Sequence, residues 1–164
     1  MNDCEVSRDQ PSRRHGWRCA LREMLVSSFD ICTGCRICEL ACSFEKEGAF
    51  NPRYSRLRVI LSDNGLFNDV IVCAQCENPV CMRVCPIEGA IYRDPDTGAV
   101  IIDQEICTGC GLCAKYCPRQ MIRLDNNASK AVKCDLCGGD PACVAYCPTG
   151  ALFLVEVPQS AGKP

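Results

Sequence analysis

The stretch Cys32-Thr-Gly-Cys35-Arg-Ile-Cys38-Glu-Leu-Ala-Cys42 decides how this chain folds. The same pattern returns as Cys107-Thr-Gly-Cys110-Gly-Leu-Cys113-Ala-Lys-Tyr-Cys117. Two further groups hold four cysteines each with a wider middle gap, namely Cys73, Cys76, Cys81 and Cys85, and then Cys134, Cys137, Cys143 and Cys147. Three groups end in Cys-Pro, whereas Cys42 is followed by Ser43. Sixteen of the eighteen cysteines therefore form an internal repeat of four groups.

The high cysteine content of this chain can be interpreted in two ways, as a disulfide scaffold or as a set of metal ligands. Eighteen cysteines among 164 residues would ordinarily indicate disulfides, which form in oxidising compartments. Ser12-Arg13-Arg14 weakly resembles a twin-arginine export signal, but Arg22 and Glu23 interrupt the segment where its apolar region should lie. We therefore expect a cytoplasmic protein, in which grouped cysteines are typical of metal ligands.

Charge and apolar content exclude several classes of function. The net charge of −2 gives no basic field for nucleic acid or anionic lipid. The longest apolar runs, residues 70–74 and 151–155, are far too short to span a bilayer. A single histidine excludes catalysis that needs several imidazoles. Only 38 residues are Leu, Ile, Val or Phe, so we expect a non-protein group to fill part of the interior.

The segments between the cysteine groups predict short hairpins and short helices. Residues 92–102 read as a hairpin closed by Asp94-Pro95-Asp96-Thr97-Gly98, and residues 56–72 as another turning at Ser62-Asp63-Asn64-Gly65. A weaker third hairpin spans 121–132 around Asp125-Asn126-Asn127. The residues between the third and fourth cysteines of each group suit a short helix, which the following proline ends.

The spacing of the cysteines favours iron–sulfur clusters. Three cysteines two residues apart form a tight loop of inward-pointing thiolates, and the fourth lies a helical turn further, beyond easy reach of the same centre. Bacterial ferredoxins use this arrangement, with the fourth cysteine ligating the other [4Fe–4S] cluster. Structural zinc sites usually combine two separated Cys-x-x-Cys pairs, so zinc is the alternative. Because metal binding would supply folding free energy, we expect the metal-free chain to be largely unfolded.

Small residues beside the cysteines fit the same interpretation. Gly34, Gly109 and Gly111 would let the backbone approach a cluster and aim N–H groups at its sulfurs. Arg36 takes the place of Gly111 in the first group. It either raises the potential of a nearby cluster or is a solvated surface charge.

Residues 32–147 closely resemble the four-cluster ferredoxin-like electron-transfer subunits that accompany molybdenum or tungsten oxidoreductases, some hydrogenases and carbon monoxide dehydrogenases. The resemblance covers about residues 28–157. It implies an α+β fold of two pseudo-symmetric bacterial-ferredoxin-like units, built from short hairpins and short helices around four [4Fe–4S] clusters. Residues 28–72 with 126–157 would form the outer unit and residues 73–125 the inner unit. An N-terminal extension, residues 1–27, and a tail, residues 158–164, would lie outside both.

The resemblance also implies which cysteines share a cluster. One outer cluster would be held by Cys32, Cys35, Cys38 and Cys147, and the other by Cys134, Cys137, Cys143 and Cys42. One inner cluster would be held by Cys73, Cys76, Cys81 and Cys117, and the other by Cys107, Cys110, Cys113 and Cys85. Some relatives replace a cysteine of the third group and hold a [3Fe–4S] centre, but all four are present here.

The segment from Cys38 to Ile60, which contains Phe44, Phe50 and Asn51-Pro52, resembles a smaller group of proteins within this family. It is most similar to the small iron–sulfur subunits of tungsten aldehyde oxidoreductases and of the related benzoyl-CoA reductases. Alternatively, these residues simply close a surface loop over the first cluster.

The function implied is electron relay, with no catalytic residues in this chain. Electrons would pass between a large catalytic molybdenum or tungsten subunit and a flavoprotein, ferredoxin or quinone partner. Exposed ends of such a conduit would also allow end-to-end association of copies. The alternatives are the small subunit of a benzoyl-CoA reductase, hydrogenase or carbon monoxide dehydrogenase, a free polyferredoxin, a zinc protein, and redox sensing by Cys4 and Cys19.

Overall fold

Turn-forming sequences divide this chain into strands of at most seven residues, and these pair two by two. The computed structural model describes residues 21–62, 67–125 and 129–158. Within these ranges four two-stranded antiparallel sheets form. They pair β1 (Leu21–Ser27) with β8 (Leu152–Pro158), β2 (Arg58–Leu61) with β3 (Asn68–Ile71), β4 (Ile91–Arg93) with β5 (Val100–Ile102), and β6 (Arg123–Leu124) with β7 (Ala131–Val132).

The three predicted hairpins are confirmed as β2–β3, β4–β5 and β6–β7. The turn between β4 and β5 closes because the Asp94 carboxylate accepts hydrogen bonds from the backbone N–H of Thr97, at 3.0 Å, and from its hydroxyl, at 2.6 Å. The predicted centres of the other two turns, residues 63–65 and 126–127, lie outside the described residues. Short-range turn chemistry therefore predicts these elements correctly.

A helix occupies the segment between the third and fourth cysteines of each group, as predicted, and it begins one residue before the third cysteine. The helices are α1 (Ile37–Glu47), α2 (Val80–Arg83), α3 (Leu112–Lys115) and α4 (Ala142–Ala145). Helices α2, α3 and α4 each have four residues, because proline follows the fourth cysteine and cannot continue the helix. Ser43 replaces that proline in the first group, so α1 extends to eleven residues and ends at Gly48. No helix in the described ranges is long and apolar enough to cross a membrane.

Strand β1 differs from the expectation for the N-terminal residues. Residues 21–27 were expected to belong to an extension outside the repeat, but they pair along their whole length with β8. Among the side chains of this strand that the structure describes, only Leu25 is buried, and the sequence Leu-Arg-Glu-Met-Leu-Val-Ser does not alternate apolar and polar residues. The folded part of the chain therefore begins at least as early as residue 21.

Buried apolar side chains form two clusters, each shared with cysteines. The first contains Leu25, Leu57, Val59, Val70, Val72, Ala99, Leu136 and Leu152 together with Cys38, Cys42 and Cys143. The second contains Ile91, Val100, Ile102, Ile122 and Ala131 together with Cys113. Further cysteines of the first and fourth groups pack on the first cluster, and cysteines of the second and third groups pack on the second. The apolar interior is thus organised around the cysteine groups.

Candidate metal centres

The helices fix the relative positions of the last two cysteines in each group. Cys38 lies in the first turn of α1, and Cys42 lies four residues further on the same helix. Residues four apart share one face of a helix, one turn above the other. In the other groups the fourth cysteine follows the helix at the point where proline turns the chain away. The four helices therefore separate the fourth cysteine from the loop that holds the first two and from the third, which lies in the first turn of the helix.

One cavity is lined by three cysteines of the second group and one of the third. We call it inner cavity 1, and its cysteines are Cys73, Cys76, Cys81 and Cys117. Apolar residues complete most of its wall, including Val80, Val100 and Ile122, and Lys133 also lines it. The structure thus brings together the four residues that the family resemblance implies for one inner cluster.

A second cavity is lined by the complementary set of cysteines. Inner cavity 2 contains Cys85, Cys107, Cys110 and Cys113. Its wall is otherwise formed by apolar side chains such as Ile91 and by the glycines of the third group. Among the residues that line it there is no lysine, arginine or histidine. The two inner cavities therefore differ in charge although their cysteine patterns match.

The first of the outer sets is Cys32, Cys35, Cys38 and Cys147; α1, which carries Cys38, packs against α4, which Cys147 follows, and Cys32 packs on the first apolar cluster. We call these four cysteines outer set 1. Burial above all raises the pKa of Cys38 to about 12, and the nearby thiols of Cys35 and Cys147 contribute to the rise. Burial would also raise the pKa of Cys147, but the backbone N–H groups of Leu152, Thr149 and Ala151 and the Thr149 hydroxyl lower it below its ordinary value. These donors favour the thiolate that a metal would bind.

The second outer set consists of Cys42, Cys134, Cys137 and Cys143. We call it outer set 2. Burial raises the pKa of Cys143, and the neighbouring Cys134, Cys42 and Cys137 raise it further. Burial likewise raises the pKa of Cys134 to about 12. The backbone N–H of Arg56 donates to the Cys42 sulfur at 3.3 Å. The same four residues that the family resemblance groups together are therefore neighbours here.

An ion-pair network holds the loop that carries Cys137. The Asp135 carboxylate pairs with Lys46 at 2.8 Å and with Arg56 at 3.2 Å. The same carboxylate accepts a hydrogen bond from the Cys137 backbone N–H at 3.1 Å. Burial opposes ionisation of Asp135, but Lys46 and Arg56 keep its pKa below the ordinary value. The network ties the fourth cysteine group to α1 and to the loop before β2.

These thiols fit a polynuclear cluster better than a single ion. Free thiolates are unfavourable at these positions. Burial raises the pKa of Cys113 to about 11 and the pKa values of Cys38 and Cys134 to about 12. Binding to iron would release those protons and stabilise the thiolates. Zinc would require three or four ligands around one ion, and the described residues contain no such group of His, Cys, Asp or Glu. Each inner cavity instead presents four cysteines around a shared space.

Two glycines of the cysteine loops lie against neighbouring hairpins. A Cβ atom on Gly109 would stand 1.6 Å from the carbonyl oxygen of Ser129, just before β7. One on Gly34 would stand 2.7 Å from the Leu61 side chain at the end of β2. Both residues also have positive φ angles, which glycine adopts without strain. The sequence interpretation anticipated close backbone approach, but the neighbours in the structure are hairpins of the chain itself.

Arg36 begins α1 in a left-handed conformation, as Gly111 does for α3. Its guanidinium donates to the Glu39 carboxylate at 2.6 Å. Glu39 is 2% exposed and also accepts from the backbone N–H of Val59 at 2.9 Å. Arg36 is therefore an ion-paired residue that helps to join α1 to β2, and it is still half exposed to solvent.

Sequence reasoning missed two buried polar residues at the junction of the two apolar clusters. Gln75 is 0% exposed; its amide donates to the carbonyl oxygen of Cys134 at 2.9 Å and its Oε1 accepts from the backbone N–H of Val100 at 2.9 Å. Lys133 is 4% exposed and directly precedes Cys134. In the sequence, the only sign of either residue is its place beside or between cysteines, and that place does not show whether a polar side chain is buried or exposed. Cys4, Cys19 and His15 lie outside the described residues.

Comparisons with known families identify iron–sulfur domains over the segments that contain the cysteine groups. The family described as "4Fe-4S dicluster domain" matches residues 66–157, and the family described as "4Fe-4S binding domain" matches residues 29–45. The "Aliphatic sulfonate oxidoreductase, polyferredoxin-like subunit" of Pyrococcus furiosus is 42% identical over 107 residues, which are 65% of this chain and 61% of that protein. A component of the anaerobic dimethyl sulfoxide reductase of Escherichia coli K12 is 35% identical over 118 residues, 63% of this chain and 56% of that protein. This chain thus spans about three fifths of the length of these curated relatives.

Solved structures reproduce the fold over most of the chain. A chain of the active-site complex BamBC of benzoyl coenzyme A reductase, as isolated, superposes with a TM-score of 0.53 at 22% identity, over 87% of this chain and 82% of that one. The complex with 1,5-dienoyl-CoA gives a TM-score of 0.50 at 26% identity, over 88% and 80%. The α+β arrangement of short hairpins and helices therefore has a known counterpart.

Proposed function

Since this chain belongs to the 4Fe–4S dicluster domain family, we propose that it is the electron-transfer subunit of an oxidoreductase complex. It would carry four [4Fe–4S] clusters and have no catalytic site of its own. One observation carries the proposal. Each of the two inner cavities is lined by three cysteines of one group and one of another, and neighbouring cysteines of the first and fourth groups likewise come from both groups.

We assign one cluster to each of inner cavities 1 and 2 and to each of outer sets 1 and 2, with their cysteines as ligands. The inner clusters would form one ferredoxin-like unit and the outer clusters the other, related by pseudo-symmetry. Support comes from the two apolar cores, because each core packs cysteines of only one pair of groups.

When bound, each cluster can accept and release one electron. The chain's own residues would shield the ligands from water and supply hydrogen bonds to their sulfurs. Cys38, Cys42, Cys73, Cys113 and Cys143 are all buried. Sulfur atoms of the outer sets meet N–H donors at Arg56, Thr149, Ala151 and Leu152. Such donors and local solvent exposure are the means by which a protein tunes a cluster's potential.

Electrons would enter and leave where a ligand reaches the surface. Cys35, Cys76 and Cys110, the second cysteine of the first three groups, are exposed. A partner can therefore come close to a cysteine of the first, second or third group. This agrees with a conduit between two partners and also allows end-to-end association of copies.

The loop after α1 is our candidate for contact with the large catalytic subunit. Phe44 and Phe50 stack with ring centroids 4.6 Å apart although they are 50% and 70% exposed. The loop is held in place because the hydroxyl of buried Ser43 accepts from the Asn51 backbone N–H at 3.1 Å. Rigid exposed aromatic pairs are typical of the centres of protein interfaces.

For that partner we propose a molybdenum or tungsten enzyme, with a tungsten aldehyde oxidoreductase first. The likeness to benzoyl coenzyme A reductase favours a subunit of such an enzyme as the second candidate. A flavoprotein or ferredoxin would take up or supply the electrons at the other end. The cytoplasm stays our prediction for the location of the complex.

Purification of the tagged chain from its source under anaerobic conditions tests this proposal. At high salt we expect a large chain with bound molybdenum or tungsten to co-purify in a fixed ratio. We also expect that chain's substrate to bleach the iron–sulfur absorbance of the small subunit. Recovery of an iron-loaded chain with no large metal-containing partner would favour a free polyferredoxin.

A further inference from the structure

Lys133 is a buried cation whose three N–H bonds are all used by neutral oxygens. Its Nζ donates to the backbone carbonyl of Val100, to that of Cys134 at 2.8 Å and to the side-chain oxygen of Gln75 at 3.2 Å. An ammonium group has three donors and no acceptor, so this environment fits the charged form. The residue is 4% exposed, so water contributes little to its solvation.

The protein provides this charge with no carboxylate partner among the described residues. The ion pairs there use Arg36, Lys46, Arg56 and Arg123. Other cations are near, because Arg22 donates to the Gln75 carbonyl and Arg56 to the Lys133 carbonyl. A buried unpaired charge is costly unless an anion compensates it. The surroundings of Lys133 therefore call for a negative group that is not a side-chain carboxylate.

The position of Lys133 identifies where that negative group lies. The residue lines inner cavity 1 together with Cys73, Cys76, Cys81 and Cys117. Arg119 lines the same cavity, but it is exposed and its charge is screened by water. The positive charge of Lys133 acts on Cys81 and also on Cys134 of outer set 2. No cation lines inner cavity 2 among the described residues.

We propose that Lys133 is the internal counter-cation of the cluster in inner cavity 1 and raises its reduction potential above that of the cluster in inner cavity 2. The inference rests on the proposed function, since it requires bound clusters. A [4Fe–4S] cluster with four thiolates is an anion, and reduction by one electron increases its negative charge. A nearby buried cation stabilises the reduced form more than the oxidised form. Within the inner pair, electrons would therefore reside preferentially on the cluster of inner cavity 1.

The test is a redox titration of the iron-loaded protein with dithionite as the reductant, followed by electron paramagnetic resonance. In Lys133→Met we expect the reduction potential of the cluster in inner cavity 1 to fall clearly. The potential of the cluster in outer set 2 should fall less, and those of the remaining two clusters should not change. Lys130→Met is the matched control, because Lys130 is only partly buried, lies three residues earlier and lines neither inner cavity. The four reduction potentials of Lys130→Met should equal those of the parent protein.

Gln75→Glu is a second variant that leaves Lys133 in place. It sets a carboxylate against the ammonium group with almost no change in volume and should lower the same potential. If Lys133→Met loses iron, this variant decides the question. Full iron content with unchanged potentials, or an equal shift of all four clusters, would overturn the proposal for Lys133. A parent protein that binds no iron would instead contradict the proposed function.

Discussion

Gly109 offers the sharpest test of how tightly the cysteine loops are packed, and we predict that Gly109→Ala destroys the site at inner cavity 2. Gly109 lies between Cys107 and Cys110, two of the cysteines that line this cavity. An alanine Cβ at this position would stand 1.6 Å from the Ser129 carbonyl oxygen, and that oxygen belongs to the backbone. The clash cannot be relieved by rotating a side chain.

The size of the effect follows from a comparison with Gly48. Both glycines have positive φ, 69° and 65°, so alanine costs each about 1 kcal/mol of backbone strain. A Cβ on Gly48 would meet no atom within 4 Å, whereas at Gly109 the two backbones must separate by about 1.4 Å to restore a 3.0 Å contact. A displacement of that size exceeds what ligands around one cluster tolerate. We therefore expect only Gly109→Ala to lose metal.

The assay is the iron content of the two variants after anaerobic reconstitution. Gly109→Ala should lose about four irons per chain, and Gly48→Ala should retain the parent value. Equal iron in both variants would refute the argument, because it would mean that the contact with Ser129 does not constrain the loop. If both variants lost the same amount of iron, the positive φ angle alone would explain the loss.

Three further predictions test other parts of the account. Cys117→Ser should reproduce the spectral change caused by Cys73→Ser; a spectrum like that of Cys107→Ser would contradict crossed ligation. Glu39→Gln should lower the guanidinium midpoint of the loaded protein, because the neutral amide loses the ion pair with Arg36, and an unchanged midpoint would count against that link. Replacing Phe44 and Phe50 together by Ser should abolish co-purification of the large subunit while the chain retains its full iron content. Phe153→Ser on β8 should preserve co-purification. A complex that survives the double change excludes this loop as the contact.

Much of the fold could be predicted from local sequence. The turn at residues 94–98 and the proline after the fourth cysteine act over a few residues, and the corresponding hairpin and helix ends appear where they were expected. The longer α1 follows the same rule, because Ser43 leaves the helix free to continue. These features need no knowledge of distant parts of the chain.

The remaining features depend on contacts between distant residues. Strand β1 forms by pairing with β8, which lies about 130 residues further along the chain, and among its described side chains only Leu25 is buried. The burial of Lys133 follows from its contacts with Gln75, in the second cysteine group, and with Val100, in β5. Neither can be read from spacing within one segment.

The central claim is that this chain binds four [4Fe–4S] clusters through crossed sets of cysteines. Iron and acid-labile sulfide per chain, combined with Mössbauer spectroscopy of the ⁵⁷Fe-loaded protein, test it most directly. The account predicts about sixteen irons and about sixteen sulfides, with all iron in cubane clusters. A value near eight irons, or zinc in place of iron and no sulfide, would contradict it.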